Sequence, residues 1–186
     1  TTEPQREDAV CEPFSEYGKA KLRVKEELYK LSEELKMKYI HLRIFSLFGE
    51  NDHPWTLVMS ALDKMLANED VDLSPCTQNW NFLYVKDAVR MINILCEKAV
   101  DNPAYKHEVY NIASDDTRRL KDFVERMKIL CKSHSKLNYA AVVPQNLVSL
   151  QPDMSKTSSV VGSLNEFSFD DIILKIIDKK SKYNND

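Results

Sequence analysis

Short apolar runs alternate with longer amphipathic segments along this chain. Residues 39–48, 81–85, 109–113 and 139–143 are rich in β-branched and aromatic side chains, as buried strands are. Apolar residues at steps of three and four predict helices over residues 15–38, 55–66, 86–99, 120–131, 155–161 and 169–180. Strands that alternate with helices of this length usually pair in parallel, so the pattern predicts an α/β fold. Residues 1–14 are polar and predict an exposed leading loop.

Glycine is unusually scarce. The chain of 186 residues has three, Gly18, Gly49 and Gly162, whereas average usage would give roughly thirteen. A P-loop and a G-x-G-x-x-G dinucleotide turn each need at least two glycines within one loop, so this sequence contains neither.

Charge and cysteine content exclude several classes of protein. A net charge of −3 and an isoelectric point near 5.9 argue against a nucleic-acid partner. The sequence has no apolar run of about 18 residues, so no membrane partner is expected. The four cysteines form no C-x-x-C pair, and neither they nor the histidines have the spacing of a metal site. With no signal peptide, these features predict a cytoplasmic protein.

Tyr17 and Lys21 are candidates for acid–base chemistry. They lie four residues apart on a predicted helix and therefore share a face. A nearby ammonium favours the phenolate form of a tyrosine, which can then exchange a proton with a sugar or alcohol oxygen. A Y-x-x-x-K pattern also arises by chance about once in such a chain, so alone it does not distinguish a catalytic pair from a surface pair.

The loop after the first predicted strand and the start of the second contain further candidates. Loops at the carboxyl ends of parallel strands bind ligands in α/β sheets. His53 can hydrogen-bond a sugar hydroxyl and Trp55 can stack on a ring, although an exposed loop histidine and a core tryptophan are the alternatives. The same alternative, a core position, applies to Trp80 beside Asn81. The charged residues 115–119 are expected to begin the next helix.

Several motifs occur in an order that resembles the extended short-chain dehydrogenase/reductase superfamily, in particular its NAD-dependent epimerase/dehydratase family, which acts on nucleoside-diphosphate sugars. The active-site helix pattern, an acidic residue and Pro followed by Y-G-x-x-K, is matched by EPFSEYGKAK. The later motifs are matched by LRIFSLFG, NFLYVKDA, VYNIAS and DMSK, which begin at residues 42, 81, 109 and 153. The order of the motifs is much more specific than Y-x-x-x-K alone.

The resemblance implies an NAD- or NADP-dependent epimerase, dehydratase or reductase that acts on a nucleoside-diphosphate sugar and forms a homodimer. Tyr17 would be the acid/base, and Lys21 would assist it and hold the nicotinamide ribose. Phe45 and Ser46 would lie near the nicotinamide and the substrate. The residues expected at the substrate are Ser46, His53, Trp55, Trp80 and Asn81.

The family's glycine-rich turn precedes the catalytic tyrosine, so the resemblance implies a C-terminal part only. The expected fold class is a partial Rossmann-like parallel sheet, with its N-terminal half absent, plus a small α/β substrate-binding subdomain. Residues 1–48 would be the Rossmann remnant. Residues 49–186 would be mostly the subdomain, with a strand near 108–113 that returns to the Rossmann sheet. Such a fragment is expected to be inactive alone.

Departures from the family pattern leave a second hypothesis open. Ser46 replaces the usual Asn and Glu50 replaces a Pro. Trp80 replaces an Arg that often binds diphosphate, and Pro144 and Gln145 stand where another Arg is expected. The alternative is a non-catalytic binding or assembly module related to short-chain dehydrogenases.

Overall fold

The computed structural model describes residues 3–143 and 147–183. Pro144 and Gln145 therefore lie outside the described residues. In chain order the elements are α1 (Glu16–Glu34), β1 (Tyr39–Ile44), β2 (Ser46–Phe48), α2 (Leu57–Leu66), β3 (Val71–Leu73), β4 (Asn79–Tyr84), α3 (Val85–Asp101), β5 (His107–Ile112), β6 (Thr117–Arg119), α4 (Leu120–Leu130), β7 (Leu137–Tyr139), α5 (Ser155–Val161) and α6 (Phe169–Tyr183).

Within the described residues, the strands form three small sheets. β1 pairs with β5 in parallel over its whole length, and β3 pairs with β7 in parallel. β4 lies between β2, which is parallel to it, and β6, which is antiparallel. The predicted strand at 39–48 is interrupted at Phe45, whose backbone N–H donates to Ile112 O at 3.0 Å. The chain then leaves β5 and pairs with β4.

Two hydrophobic cores lie on either side of β4. Because side chains alternate along a strand, Phe82 and Tyr84 face the first core and Leu83 faces the second. The first core is formed mainly by α2, α4 and α6, and the second by α3, β5 and α5. β4 therefore contributes side chains to both hydrophobic cores.

The first helix has a well-defined start but little burial. Ser15 caps it by accepting a hydrogen bond from the backbone N–H of Gly18 at 3.1 Å. A Cβ atom at Gly18 would lie 2.8 Å from Cβ of Pro13, so glycine allows this close approach. Ser32 is the buried residue of α1. The apolar stripe predicted for this helix stays largely exposed at Tyr17, Val24, Leu28, Leu31 and Leu35.

The expected fold class, a partial parallel sheet with a small separate subdomain, is wrong. β2, which lies within residues 1–48, pairs with β4, which lies within residues 49–186. The pairing is also not all parallel. Residues 117–119, which were expected to begin a helix, form β6 because they pair with residues 79–81. The proposed domain limits, 1–48 and 49–186, stay a prediction.

Candidate functional site

Tyr17 and Lys21 lie on the first turns of α1. The Lys21 Nζ atom is 5.4 Å from the centroid of the Tyr17 ring. Both side chains are accessible, and that of Tyr17 is 74% exposed. The N-cap at Ser15 and the glycine at position 18 hold this part of the helix beside the leading segment.

A cavity of about 720 Å³, which we call the Tyr17 cavity, lies between α1 and β1. Tyr17 and Lys21 line it from the helix, and His41 and Arg43 line it from the strand. Burial, reinforced by the charges of Lys25 and Arg43, lowers the pKa of His41. His41 is therefore neutral near physiological pH, and its Nδ1 atom lies 3.2 Å from the Tyr39 hydroxyl. Lys21 and Arg43 supply cationic groups to this cavity.

A second cavity, the Trp80 cavity, adjoins the first and has a volume of about 570 Å³. Cys11, Arg43 and Ile44 line both cavities. Phe45, Ser46 and Trp80 also line the second one. Three residues predicted to bind the cofactor or the substrate thus line the Trp80 cavity. This cavity adjoins the Tyr17 cavity, which contains the predicted acid/base pair.

Trp80 occupies a position between core and cavity. It is half-buried and packs against the first core, with its ring 6.3 Å from that of Phe82. In the antiparallel pairing it lies opposite Arg118. The guanidinium of Arg118 is held by Asp116 and lies 4.4 Å from the Phe123 ring. The position of Trp80 is therefore compatible with both hypotheses, a core residue and a ligand contact.

Asn81 is completely buried and fully hydrogen-bonded. Its Nδ2 donates to Ser114 O at 2.9 Å and to Thr117 Oγ1 at 2.8 Å. Its Oδ1 accepts from the backbone N–H of Ser114 at 2.9 Å. Asn81 lines neither of the two cavities. Through these side-chain hydrogen bonds, Asn81 links β4 to the segment that follows β5.

His53 and Trp55 lie together in the loop before α2. Their rings stack at 4.3 Å with an angle of 10° between planes. The Trp55 side chain is 75% exposed, and neither residue lines the Tyr17 or Trp80 cavity. The structure therefore does not bring this pair together with the other predicted site residues.

The sequence did not predict that the leading segment lines the site. Residues 5–11, which we call the strap, cross the carboxyl ends of β1 and β5. The backbone N–H of Gln5 donates to Gln151 O at 2.6 Å. Arg43 donates to Arg6 O and Ala9 O at 3.0 and 3.3 Å, and Asn111 donates to Gln5 O at 2.8 Å. The backbone of the strap accepts or donates in each of these contacts, which span long sequence separations, so neither periodicity nor composition predicts them.

Among residues 3–143 and 147–183, no group of three or more His, Cys, Asp or Glu side chains is placed to hold a metal ion. In the same part of the chain, no helix is both long enough and apolar enough to cross a bilayer.

Comparison with known proteins gives a family match and distant relatives. The model of the NAD dependent epimerase/dehydratase family matches residues 1–113. The CDP-abequose synthase of Salmonella muenchen is 27% identical over 144 residues, which cover 76% of this chain and 48% of that protein. The corresponding enzyme of Yersinia pseudotuberculosis is 29% identical over 86 residues, 46% of this chain and 30% of that protein. The chain thus spans about half the length, or less, of these curated relatives.

Solved structures share the fold at low identity. UDP-glucose 4-epimerase from Thermotoga maritima, crystallised with UDP-glucose, superposes with a TM-score of 0.85 at 20% identity, over 99% of this chain and 59% of that one. UDP-glucuronic acid 4-epimerase from Bacillus cereus, crystallised with UDP-glucuronic acid and NAD, gives a TM-score of 0.84 at 20% identity, over 98% and 58%.

These findings correct the expectation of a C-terminal part only, which is wrong. The family match lies on the N-terminal side of this chain, at residues 1–113, and the superposition covers 99% of its length. They likewise correct the fold class that was built on a missing N-terminal half. They support an α/β, Rossmann-like epimerase fold that corresponds to the NAD-binding region. Since the family model covers well over half of its residues, the chain belongs to the NAD-dependent epimerase/dehydratase family.

Proposed function

We propose that the full-length protein is an NAD(P)-dependent enzyme that epimerises, dehydrates or reduces a nucleoside-diphosphate sugar, with Tyr17 as its acid/base. One observation carries the proposal. Tyr17 and Lys21 line a cavity that adjoins a second cavity lined by Phe45, Ser46 and Trp80. A proton-transfer group and a cavity for substrate and cofactor are thus neighbours.

The position of Tyr17 supports an acid–base role. The hydroxyl is on an accessible side chain, so a sugar hydroxyl can reach it. The Lys21 Nζ atom lies 5.4 Å from the centroid of the ring, so a cationic group stands beside the proposed acid/base. Tyr17 Oη would take the proton from the substrate hydroxyl as its carbon is oxidised, and would return it in the reverse direction.

The residues present fit one end of an NAD(P) molecule. The cofactor, when bound, accepts or donates hydride at its nicotinamide ring. Lys21 would donate to the ribose hydroxyls, and Phe45 would supply an apolar contact for the nicotinamide. The pyrophosphate end usually sits on a glycine-rich turn at a helix N-terminus, and this sequence has none. We therefore assign only the nicotinamide end to these residues.

The substrate class is supported by the lining of the Trp80 cavity and by the relatives. Ser46 offers a hydroxyl and Trp80 an aromatic side chain, both suited to a sugar or a base. The relatives named above are enzymes of CDP- and UDP-sugars, which motivates nucleotide sugars as the first ligands to test. His53 and Trp55 stay candidates for the substrate only if their loop moves towards the cavities.

The test is the steady-state kinetics of Tyr17→Phe in the full-length protein with NAD(P) and nucleotide sugars. We expect kcat to fall about 10²- to 10⁴-fold because the change removes proton transfer. KM should change little because the ring remains. Tyr29→Phe is the matched control, since Tyr29 lies on the same helix and is also exposed. Unchanged kcat in Tyr17→Phe would contradict the proposal.

The exposed apolar stripe of α1 supports a homodimer through this helix. Val24, Leu28, Leu31 and Leu35 are each at least 45% exposed, which is unfavourable for an isolated helix face. Light scattering of the full-length protein at tens of micromolar should give the mass of a dimer, and a monomer would contradict this assembly.

A non-catalytic binding module is the second candidate function. It is favoured by the lack of a glycine-rich turn and by Trp80 at a position where the family often has Arg. Tight binding of a nucleotide sugar without turnover in the full-length protein would support this candidate over the enzyme.

A further inference from the structure

The strap is held on the fold by hydrogen bonds rather than by apolar packing. None of the side chains of residues 5–11 is buried, and Val10 is 85% exposed. The strap nevertheless lines both cavities, because Ala9 and Val10 line the Trp80 cavity and Cys11 lines both. A segment with few buried apolar contacts opens at a low free-energy cost, so its hydrogen bonds decide how firmly it is held.

Gln5 uses both its backbone and its side chain to hold the strap. Its backbone N–H donates to Gln151 O at 2.6 Å, and its backbone oxygen accepts from the Asp153 N–H at 3.0 Å and from Asn111 Nδ2 at 2.8 Å. Its side-chain Nε2 donates to Ser149 O at 3.1 Å, and its Oε1 accepts from the Gln151 N–H at 3.2 Å. Turning this amide over would place donor against donor and acceptor against acceptor, so its orientation is fixed.

Residues 149–153, to which Gln5 binds, are themselves attached to β4. Asn79, the first residue of β4, donates from Nδ2 to Gln151 Oε1 at 2.9 Å, and its backbone oxygen accepts from the Leu150 N–H at 2.9 Å. The next residue of β4 is Trp80, which lines the Trp80 cavity. The Gln5 side chain therefore connects the strap to the same strand that places Trp80.

The strap has other contacts that do not involve the Gln5 side chain. Arg43 donates to Arg6 O and Ala9 O, as described above, and Glu7 Oε1 accepts from the Asn111 N–H at 3.1 Å. Removal of the Gln5 side chain leaves these acceptors in place, so it loosens the strap without taking away its remaining hydrogen-bonding groups.

We propose that Gln5 is a positioning residue, which through its side-chain amide holds the strap in contact with the ligand of the Trp80 and Tyr17 cavities. The inference rests on the proposed function, because it takes a nucleotide sugar as that ligand. In this role Gln5 moves neither a proton nor hydride. Its side chain fixes the strap, the strap lines both cavities, and ligand binding is thereby coupled to closure of the strap.

The first test is amide hydrogen exchange of the full-length protein without ligand, resolved at single residues, in wild type and Gln5→Ala. The N–H groups of Asn111 and Asp153 keep their acceptors on the strap in this variant, so faster exchange at both measures opening of the strap and not the loss of an acceptor. We expect exchange at both to become about 5- to 100-fold faster, the effect of two hydrogen bonds.

Two further variants and one amide serve as controls. Gln5→Glu keeps the length of the side chain, but its carboxylate cannot donate to Ser149 O, so it should also exchange faster than wild type. Asp8→Asn changes a strap residue whose ion pair lies within the strap, and it should exchange like wild type. The Lys136 N–H donates to Asp70 Oδ1, neither residue lines the two cavities, and its exchange should be the same in every variant.

The second test repeats the exchange measurement on the wild type with UDP-glucose or CDP-glucose at about 100 times the dissociation constant found by calorimetry. A ligand that contacts the strap binds the closed form better than the open form. Exchange at Asn111 and Asp153 should then become slower by up to about 100-fold, with Lys136 unchanged. A strap with a purely structural role would exchange at the same rate with and without the ligand.

The outcomes separate the two proposals. Unchanged exchange in Gln5→Ala overturns the role of Gln5, and a nucleotide sugar that binds without slowing exchange at Asn111 and Asp153 overturns the contact of the strap with the ligand. The proposed function stands in both cases. The second test needs the wild type alone, so it decides even if a variant does not fold. If neither nucleotide sugar binds the wild type, the nucleotide-sugar function fails, and this inference fails with it.

Discussion

At the scale of single residues, the buried amides show how one residue type serves different purposes. Asn81 has its donors and its acceptor used within the protein, whereas the Oδ1 atom of Asn111 is buried without a hydrogen-bond partner among the described residues. Sequence reasoning placed Asn81 at the substrate and did not single out Asn111. Nothing in the two local sequences distinguishes them, because the difference arises from partners more than 30 residues away.

We expect Asn81→Ala to lower the free energy of unfolding by about 2–3 kcal/mol. The change leaves the backbone N–H and C=O of Ser114 buried without their partner, and unsatisfied buried groups carry such costs. Urea unfolding measures it. Asn93→Ala, at an exposed position of α3, is the control and should change stability little. Equal free energies of unfolding for the two variants would contradict this stabilising role of Asn81.

At the scale of elements, periodicity predicted the helices well and the sheet less well. Helices at 155–161 and 120–130 were foreseen nearly to the residue, because an amphipathic repeat is a local property. The break at Phe45 and the strand β6 were not, because each depends on which distant strand the backbone pairs with. The sequence also predicts an exposed loop for the strap, because the contacts that hold the strap are made with distant segments.

Glu50 links the loop after β2 to α6. Its carboxylate is 13% exposed and lies 2.7 Å from Lys175 Nζ, and the Tyr84 hydroxyl donates to it at 2.9 Å. Burial alone would raise the pKa of Glu50, but the hydrogen bonds from Lys175, from the backbone and from Tyr84 outweigh it and lower the pKa to about 2. The contact is therefore made by the charged form.

We expect the stabilising effect of Glu50 to depend on pH. Because its pKa is lower in the folded state, its contribution is fully present above the ordinary value of about 4.5 and is lost as the pH falls towards about 2. Glu50→Gln should be roughly 2 kcal/mol less stable than wild type near neutral pH, and the difference should shrink on acidification across that range. Urea unfolding against pH measures it, with the exposed pair variant Asp178→Asn as control. A difference that is constant with pH would contradict this assignment.

At the scale of the whole molecule, the order of motifs indicated the family, and the family match confirms it. The inference that the chain is a C-terminal part was wrong, because it was drawn from motif positions alone. The arrangement of the two cavities could not be foreseen either. It depends on the strap, on β1 and on Trp80, which lie far apart in sequence and meet only in the folded chain.

We expect this 186-residue chain to bind NAD(P) more weakly than micromolar. The cavity residues fit the nicotinamide end, but the chain has no glycine-rich turn to hold the pyrophosphate. Isothermal titration calorimetry measures the affinity, and a cooperative thermal unfolding transition shows that the protein is folded. A micromolar or lower dissociation constant for NAD(P) would contradict this expectation.

Tyr17 is proposed to transfer the proton in a reaction on a nucleotide sugar. Single-turnover conversion of UDP-glucose or a related nucleotide sugar, with the full-length protein and NAD(P) in excess and chemical quenching, tests it most directly, because product release no longer limits the rate. We expect Tyr17→Phe to convert the sugar at least about 100-fold more slowly than wild type and Tyr29→Phe, at unchanged substrate affinity. Equal single-turnover rates in wild type and Tyr17→Phe would contradict it.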